Sequence, residues 1–222
     1  MVIRQRAIQA EDKQERHDAI LDAAERLLVR SPDRVASVAE VADEAGLAKG
    51  TVYLYFPSKE ALLLAIHERG IDGFFRAVIA LAEGDAPMGI DDMLELTHRH
   101  LVDAPLYLPL ASRCFGLMAH AVPPDAAAFK QRMAARLERA GAGLERQFRE
   151  LGPGDGVALL RRSYALILGL WQMSASASEG LSQCAMVGVD GASPVFAWRY
   201  ADELDRALRA LWQGTVGNVP AR

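Results

Sequence analysis

Between Lys49 and Lys59 the chain sets two ammonium groups and, besides the helix-capping Ser58, three hydroxyls, those of Thr51, Tyr53 and Tyr55, inside eleven residues. Donors gathered so densely on one short segment suit an array of oxygen acceptors. The phosphates and base edges of duplex DNA present such an array. Lys49, at the start of the segment, has the reach for guanine O6 and N7 in the major groove. Gly50 lets the backbone come close to a duplex. The hydroxyls of Thr51, Tyr53 and Tyr55 and the charge of Lys59 suit phosphates. Tyr55 has a second use open to it, packing against a neighbouring helix. Upstream, Ser37 opens a helix whose free backbone donors add a further phosphate contact.

The elements that must position these groups read at a 3.6-residue period. A first helix over about Glu15–Val29 carries Ile20, Ala23, Ala24, Leu27 and Leu28 on one stripe, and Ser31-Pro32-Asp33 ends it. A second opens at Ser37, with Glu40 at capping-box spacing, and stops at Gly46. A short third, about Lys49–Phe56, keeps Val52 and Phe56 on its inner side and ends at Pro57. Ser58 caps a fourth that runs to about Ala82. Two helices joined by a tight glycine turn can lay the second in a major groove, and a plain helical hairpin gives the same pattern. Further helices are expected near 91–103, 106–120, 125–151, 156–177 and 195–213, with a Gly- and Ser-rich connection over 179–194. The expected fold is all-α, with nine helices. Residues 1–60 form a three-helix helix-turn-helix head, and residues 61–222 a six-helix body for ligand binding and dimerisation.

The remaining chemistry is thin. Over 222 residues the apolar share is 51% and the charged share 24%, the balance of an ordinary globular protein. The net charge of −4 argues against a protein that coats nucleic acid, and residues 1–60 hold nine Lys and Arg against eleven Asp and Glu. The longest apolar runs fall short of a membrane span, and the first sixteen residues lack a secretory apolar core, so a cytoplasmic location and no membrane partner are expected. Cys114 and Cys184 fit no metal or disulfide framework; they read as free thiols, with redox sensing as the alternative. His98 and His100 lie two apart on an expected helix and cannot share an ion unless that helix breaks. No metal site, no cofactor and no catalytic residue is assigned, and an enzyme is not expected.

In the body, 159–177 is apolar nearly all round, with Tyr164, Leu168, Trp171 and Met173 among its side chains and Gly169 and Ser174–Ala177 permitting close approach. With Phe196, Trp198, Ala201, Leu204, Leu208 and Leu211 it builds either a four-helix bundle across a two-fold axis or the core of a monomer. Phe74, Phe75, Tyr107, Leu110, Arg113, Cys114, Phe115, Leu117, Met118 and His120, with Tyr164, Leu168 and Trp171, mix aromatic, sulfur and polar groups. That mixture suits either an apolar ligand cavity or plain core. A buried Arg113, Tyr107 or His120 needs a partner, which a ligand supplies.

The run from Ile20 to Ile66 resembles the TetR family of bacterial repressors. At its centre stands Ala45-Gly46-Leu47-Ala48-Lys49-Gly50-Thr51-Val52-Tyr53-Leu54-Tyr55-Phe56-Pro57-Ser58-Lys59, followed by Leu62. One motif position departs: Ala48 stands where the family has Ser or Thr, which removes a side-chain cap and a phosphate contact. The resemblance implies a homodimeric repressor that binds a palindromic double-stranded DNA operator with one head per half-site. It also implies a small-molecule effector in the body that shifts the fourth helix and parts the heads. By that resemblance Lys49, Gly50 and Thr51 lie at or near bases, and Tyr53, Tyr55 and Lys59 at phosphates. A helical sensor of a small molecule or protein partner, without specific DNA binding, is the alternative.

Overall fold

A computed structural model describes residues 2–31, 34–120, 123–186 and 198–217, with side chains from residue 12 onward except those of residues 115, 123 and 175–186. The described residues form α1 (Val2–Arg30), α2 (Val38–Ala45), α3 (Lys49–Tyr55), α4 (Lys59–Ala82), α5 (Ile90–Thr97), α6 (Tyr107–Ala111), α7 (Cys114–His120), α8 (Pro123–Gln147), α9 (Asp155–Met186) and α10 (Tyr200–Val216). One π-helical turn, His98–Val102, continues α5, and no strand occurs among the described residues.

Ten helices replace the expected nine because the segment 106–120 breaks. The Arg113 N–H reaches back only three residues, to the Leu110 carbonyl at 3.1 Å, while Ser112 Oγ donates to the Pro109 carbonyl at 2.9 Å. The winding tightens there and the path turns before α7 begins. Elsewhere the boundaries move. α1 begins at Val2 rather than Glu15. α8 runs Pro123–Gln147 rather than 125–151, and α10 runs Tyr200–Val216 rather than 195–213. Residues 179–186, expected in a mobile connection, extend α9 to Met186. Each residue added to an established helix gains a hydrogen bond without a new nucleation cost, which outweighs modest propensity losses. The rest of that connection, Phe196, Pro32-Asp33 and the side chains of Phe115, Cys184 and Ala175–Ala177 lie outside the described residues.

The chain packs as two compact units, Met1–Gly70 with Pro105–Lys130, and Ile71–Ala104 with Gln131–Arg222. In the first, the stripe of α1 (Ile20, Ala23, Ala24, Leu28) meets Val38, Val41 and Ala42 of α2, Val52 and Phe56 of the α3 turn, and Leu62, Leu63 and Ile66 of α4. Leu110 of α6 is buried in the same core, with Leu106 and Leu117 against its edge. Burial of apolar side chains at about 1.5–3 kcal/mol each holds α2, α3 and α6 against the longer α1 and α4, since none of those three is long enough to persist alone. Ion pairs tie the outer faces. Arg69 of α4 spans Asp22 at 2.7 Å and Glu25 at 2.5 Å on α1, and Arg26 and Arg30 of α1 both pair with Glu44 of α2.

The second unit is built on α8, α9 and α10. Gly141 and Gly156 let α8 and the start of α9 touch backbone to backbone, since a Cβ on Gly156 would meet the Gly141 oxygen at 2.2 Å. Glu145 Oε1 accepts from the Gly154 and Gly156 amides at 2.8 and 3.0 Å, satisfying donors at the start of α9. Trp212 of α10 is buried, with Phe148 edge-on at 5.9 Å and its Nε1–H donating to Ser163 Oγ at 3.0 Å. His98 and His100 part company as expected: His98 Nε2 bonds Asp205 Oδ1 at 2.5 Å, while His100 lies beside Gly73.

Candidate nucleic-acid interface

α2 and α3 form the helical pair on which the site depends, and local chemistry sets both ends of the turn. Ser37 is extended (φ −72°, ψ 159°) and its Oγ accepts from the Glu40 amide at 3.3 Å, while the Ser37 amide donates to Glu40 Oε2 at 2.8 Å. The two residues thus satisfy each other's free donors. Gly46 then adopts φ +67°, ψ 30°, and the Leu47 amide reaches the Ala42 carbonyl at 2.9 Å, closing α2 with a left-handed cap. α3 begins two residues later. Its N-cap, Ala48, holds the extended backbone of a cap (φ −68°, ψ 141°) but makes no side-chain hydrogen bond. The departure read in the sequence is therefore a missing bond in the structure.

α3 gives little of itself to the core. Val52 is fully buried, and Phe56 just beyond the helix is 4% exposed. Lys49, Gly50, Tyr53 and Leu54 are exposed, and Thr51 is half-buried. The Lys49 ammonium lies 5.9 Å from the centre of the Tyr53 ring, a cation–π contact that keeps both on one face. Tyr55 is half-buried and packs against the head core, the second of the two uses open to it. Lys59 is half-buried at the start of α4, next to Ser58, whose Oγ accepts from the Ala61 amide at 3.0 Å.

The electrostatics of the head are uneven. Among the described residues, its ion pairs take up Arg26, Arg30, Arg34 and Arg69, and none takes up Lys49 or Lys59. Arg34 grips Glu40 at 2.5 Å and, with the Ser37 amide and hydroxyl, holds that carboxyl down to about 2. This changes the role expected of Ser37. Its amide and hydroxyl are both spent on Glu40, so the donors left for an anion at the start of α2 are the backbone amides that follow. Leu54 escaped the sequence reading although its position signals it: at 100° per residue it lies about 200° from Val52. Arg34 and Glu40 also escaped as a pair, since their contact depends on how the loop before α2 folds.

The expected ligand residues fall into two groups. Tyr107, Leu110 and Cys114 are buried in the first unit, Leu117 and Met118 are half-buried, and Arg113 and His120 are exposed. Arg113 and His120 are thus not buried groups in want of a partner. The break between α6 and α7 turns them outward, and His120 Nδ1 donates to its own Gly116 carbonyl at 2.8 Å. Burial pushes the Cys114 thiol up to about 11, which makes it a poor redox sensor. Phe74 and Leu168 are buried in the second unit, and Tyr164 and Trp171 are half-buried there. Among the described residues no three His, Cys, Asp or Glu cluster as a metal site, and no helix is long and apolar enough to cross a membrane.

Residues 20–66, which hold this site, match the family described as "Bacterial regulatory proteins, tetR family". Residues 68–218 match "Tetracyclin repressor-like, C-terminal domain". The chain belongs to the TetR family. Among the curated relatives, the HTH-type transcriptional regulator EthR of Mycobacterium tuberculosis is 40% identical over 79 residues, 36% of this chain and 37% of the relative. An uncharacterized HTH-type transcriptional regulator of Bacillus subtilis, YuxN, is 36% identical over 74 residues, 33% of this chain and 25% of that one. The chain thus spans between a quarter and a half of the curated relatives it matches. The crystal structure of the TetR-family regulator PfmR from Thermus thermophilus shares the fold over 91% of this chain and 99% of that one, at a TM-score of 0.51 and 17% identity.

Proposed function

We propose that this TetR-family chain is a transcriptional repressor that binds a palindromic operator as a homodimer and is released by a small, largely apolar effector. The observation that carries DNA binding is the division of α3. One residue, Val52, is buried, while Lys49, Gly50, Tyr53 and Leu54 face solvent on a helix too short to persist without the head beneath it. In this reading residues 1–60 read DNA and residues 61–222 dimerise and bind the effector. Lys49, Gly50 and Thr51 lie at the bases. Tyr53, Lys59 and the amides after Ser37 hold phosphates, and Tyr55 braces α3 from beneath. Ala48 leaves one phosphate contact unmade.

The dimer reading draws on α9. Leu159, Leu160, Ile167 and Leu168 are buried within the chain, whereas Ala165 and Met173 are exposed, and nothing lies within 4 Å of where a Gly169 Cβ would stand. The positions 165, 169 and 173 repeat every four residues, so they form one apolar, low-relief stripe that a second copy can cover. Effector binding draws on the aromatic and sulfur side chains of the body, and release of DNA requires the effector to favour the parted heads by several kcal/mol.

The test of base reading compares two lysines by fluorescence anisotropy on operator and on scrambled duplex. Lys59→Ala weakens both duplexes alike and lowers the salt slope by about one. Lys49→Ala relaxes the preference among operator variants. Equal loss on operator and scrambled DNA for Lys49→Ala overturns its assignment to bases. A second reading, a sensor that does not bind DNA specifically, draws on the carboxylates that occupy three of the head's arginines and on the missing cap at Ala48. It predicts no operator preference in either protein.

A further inference from the structure

Leu54 is 84% exposed in the last turn of α3, whose aliphatic residue half a turn away, Val52, is fully buried. Among the described residues nothing buries that side chain, so its isobutyl group is free to meet whatever α3 docks against. One turn before it stands Gly50, and nothing lies within 4 Å of where a Gly50 Cβ would be. Gly50 and Leu54 therefore share a stripe with no relief at one end and an isobutyl group at the other. Lys49 and Tyr53, held together by their cation–π contact, precede each of them in sequence and flank that stripe with charge and hydroxyl.

We propose that Leu54 reads the C5-methyl group of a thymine in each operator half-site. The proposal rests on the DNA-binding reading above and adds a base to it. The edge of a base pair in the major groove offers hydrogen-bonding groups at every pair but an apolar group only at thymine. Phosphates offer none. A leucine held at the surface of the groove-entering helix complements that methyl and makes no hydrogen bond to the other base edges. The low stripe at Gly50 lets the helix approach closely enough for the contact.

The experiment recovers a preferred duplex by selection from a randomised library, then replaces each thymine in turn with uracil, which lacks only the methyl. The wild-type protein is expected to lose about fourfold in affinity at one thymine of each half-site, the value of one buried methyl. Leu54→Ala is expected to bind the parent duplex more weakly and to be indifferent to uracil at that same position. Its thermal unfolding should match the wild type, because the side chain it removes is solvent-exposed. A duplex that is selected and bound, but in which no uracil substitution distinguishes wild type from Leu54→Ala, overturns the role of Leu54 and leaves DNA binding standing. A selected half-site without thymine opposite α3 does the same. Failure to select any duplex overturns both, and points to a protein partner for this face.

Discussion

His67 of α4 makes the stability of the first unit sensitive to pH in a calculable way. Its ring is 2% exposed, stacks on Tyr107 at 5.4 Å and meets Phe129 at 6.0 Å, and its Nδ1 has no hydrogen-bond partner. Burial pushes the imidazole down from 6.5 to about 4, only partly offset by the charge of Glu68. Between those values the unfolded chain binds a proton that the folded chain does not, so stability falls as pH drops through that window and recovers as pH rises. From pH 7.5 to pH 5 the expected loss is about 2 kcal/mol, and it approaches about 3 kcal/mol below pH 4. Urea unfolding of wild type and His67→Phe, at both pH values and one fixed protein concentration, isolates this group from the other titrating residues. The wild type should lose about 2 kcal/mol more than the variant on acidification. Equal losses in the two proteins would show that His67 gains a proton as readily in the fold as in water, and the burial argument would be wrong. His67→Gln serves as a second variant should phenylalanine overpack the site.

Two further substitutions probe the turn that carries α3. Ala48→Ser supplies the absent cap on a backbone already extended for it, and should raise stability by about 1 kcal/mol in chemical denaturation while tightening DNA binding through the added hydroxyl. Gly46→Ala meets nothing within 4 Å, so its cost is the left-handed backbone alone, about 1–2 kcal/mol by the same assay. A larger loss would mean that the turn is strained in some other way.

Features set by neighbours in sequence were legible before the structure. Ser37 and Glu40 cap each other across three residues, Gly46 stops α2 because no side chain opposes a left-handed backbone, and Val52 with Phe56 marks the buried side of α3. Features set by folding were not. The break at Ser112 and Arg113 depends on where α6 must turn to bury Leu110, and a run of apolar residues carries no sign of it. The pairings of Arg34 with Glu40 and of Arg26 and Arg30 with Glu44 occupy three of the nine cations that composition counted in residues 1–60. Packing also sets Pro105–Lys130 with the head residues, a grouping that linear order conceals. Leu54 is legible as the residue opposite Val52, though its apolar side chain offers none of the hydroxyls and charges that mark the rest of α3.

The most direct measurement is the affinity of the protein for the duplex upstream of its own gene, against a scrambled duplex of equal length, across about 50–200 mM salt. Binding tighter than to the scramble by about a thousandfold or more, and weakening steeply with salt, is the predicted result. Equal and salt-indifferent affinity for the two duplexes would contradict the claim that the exposed side of α3 enters a groove.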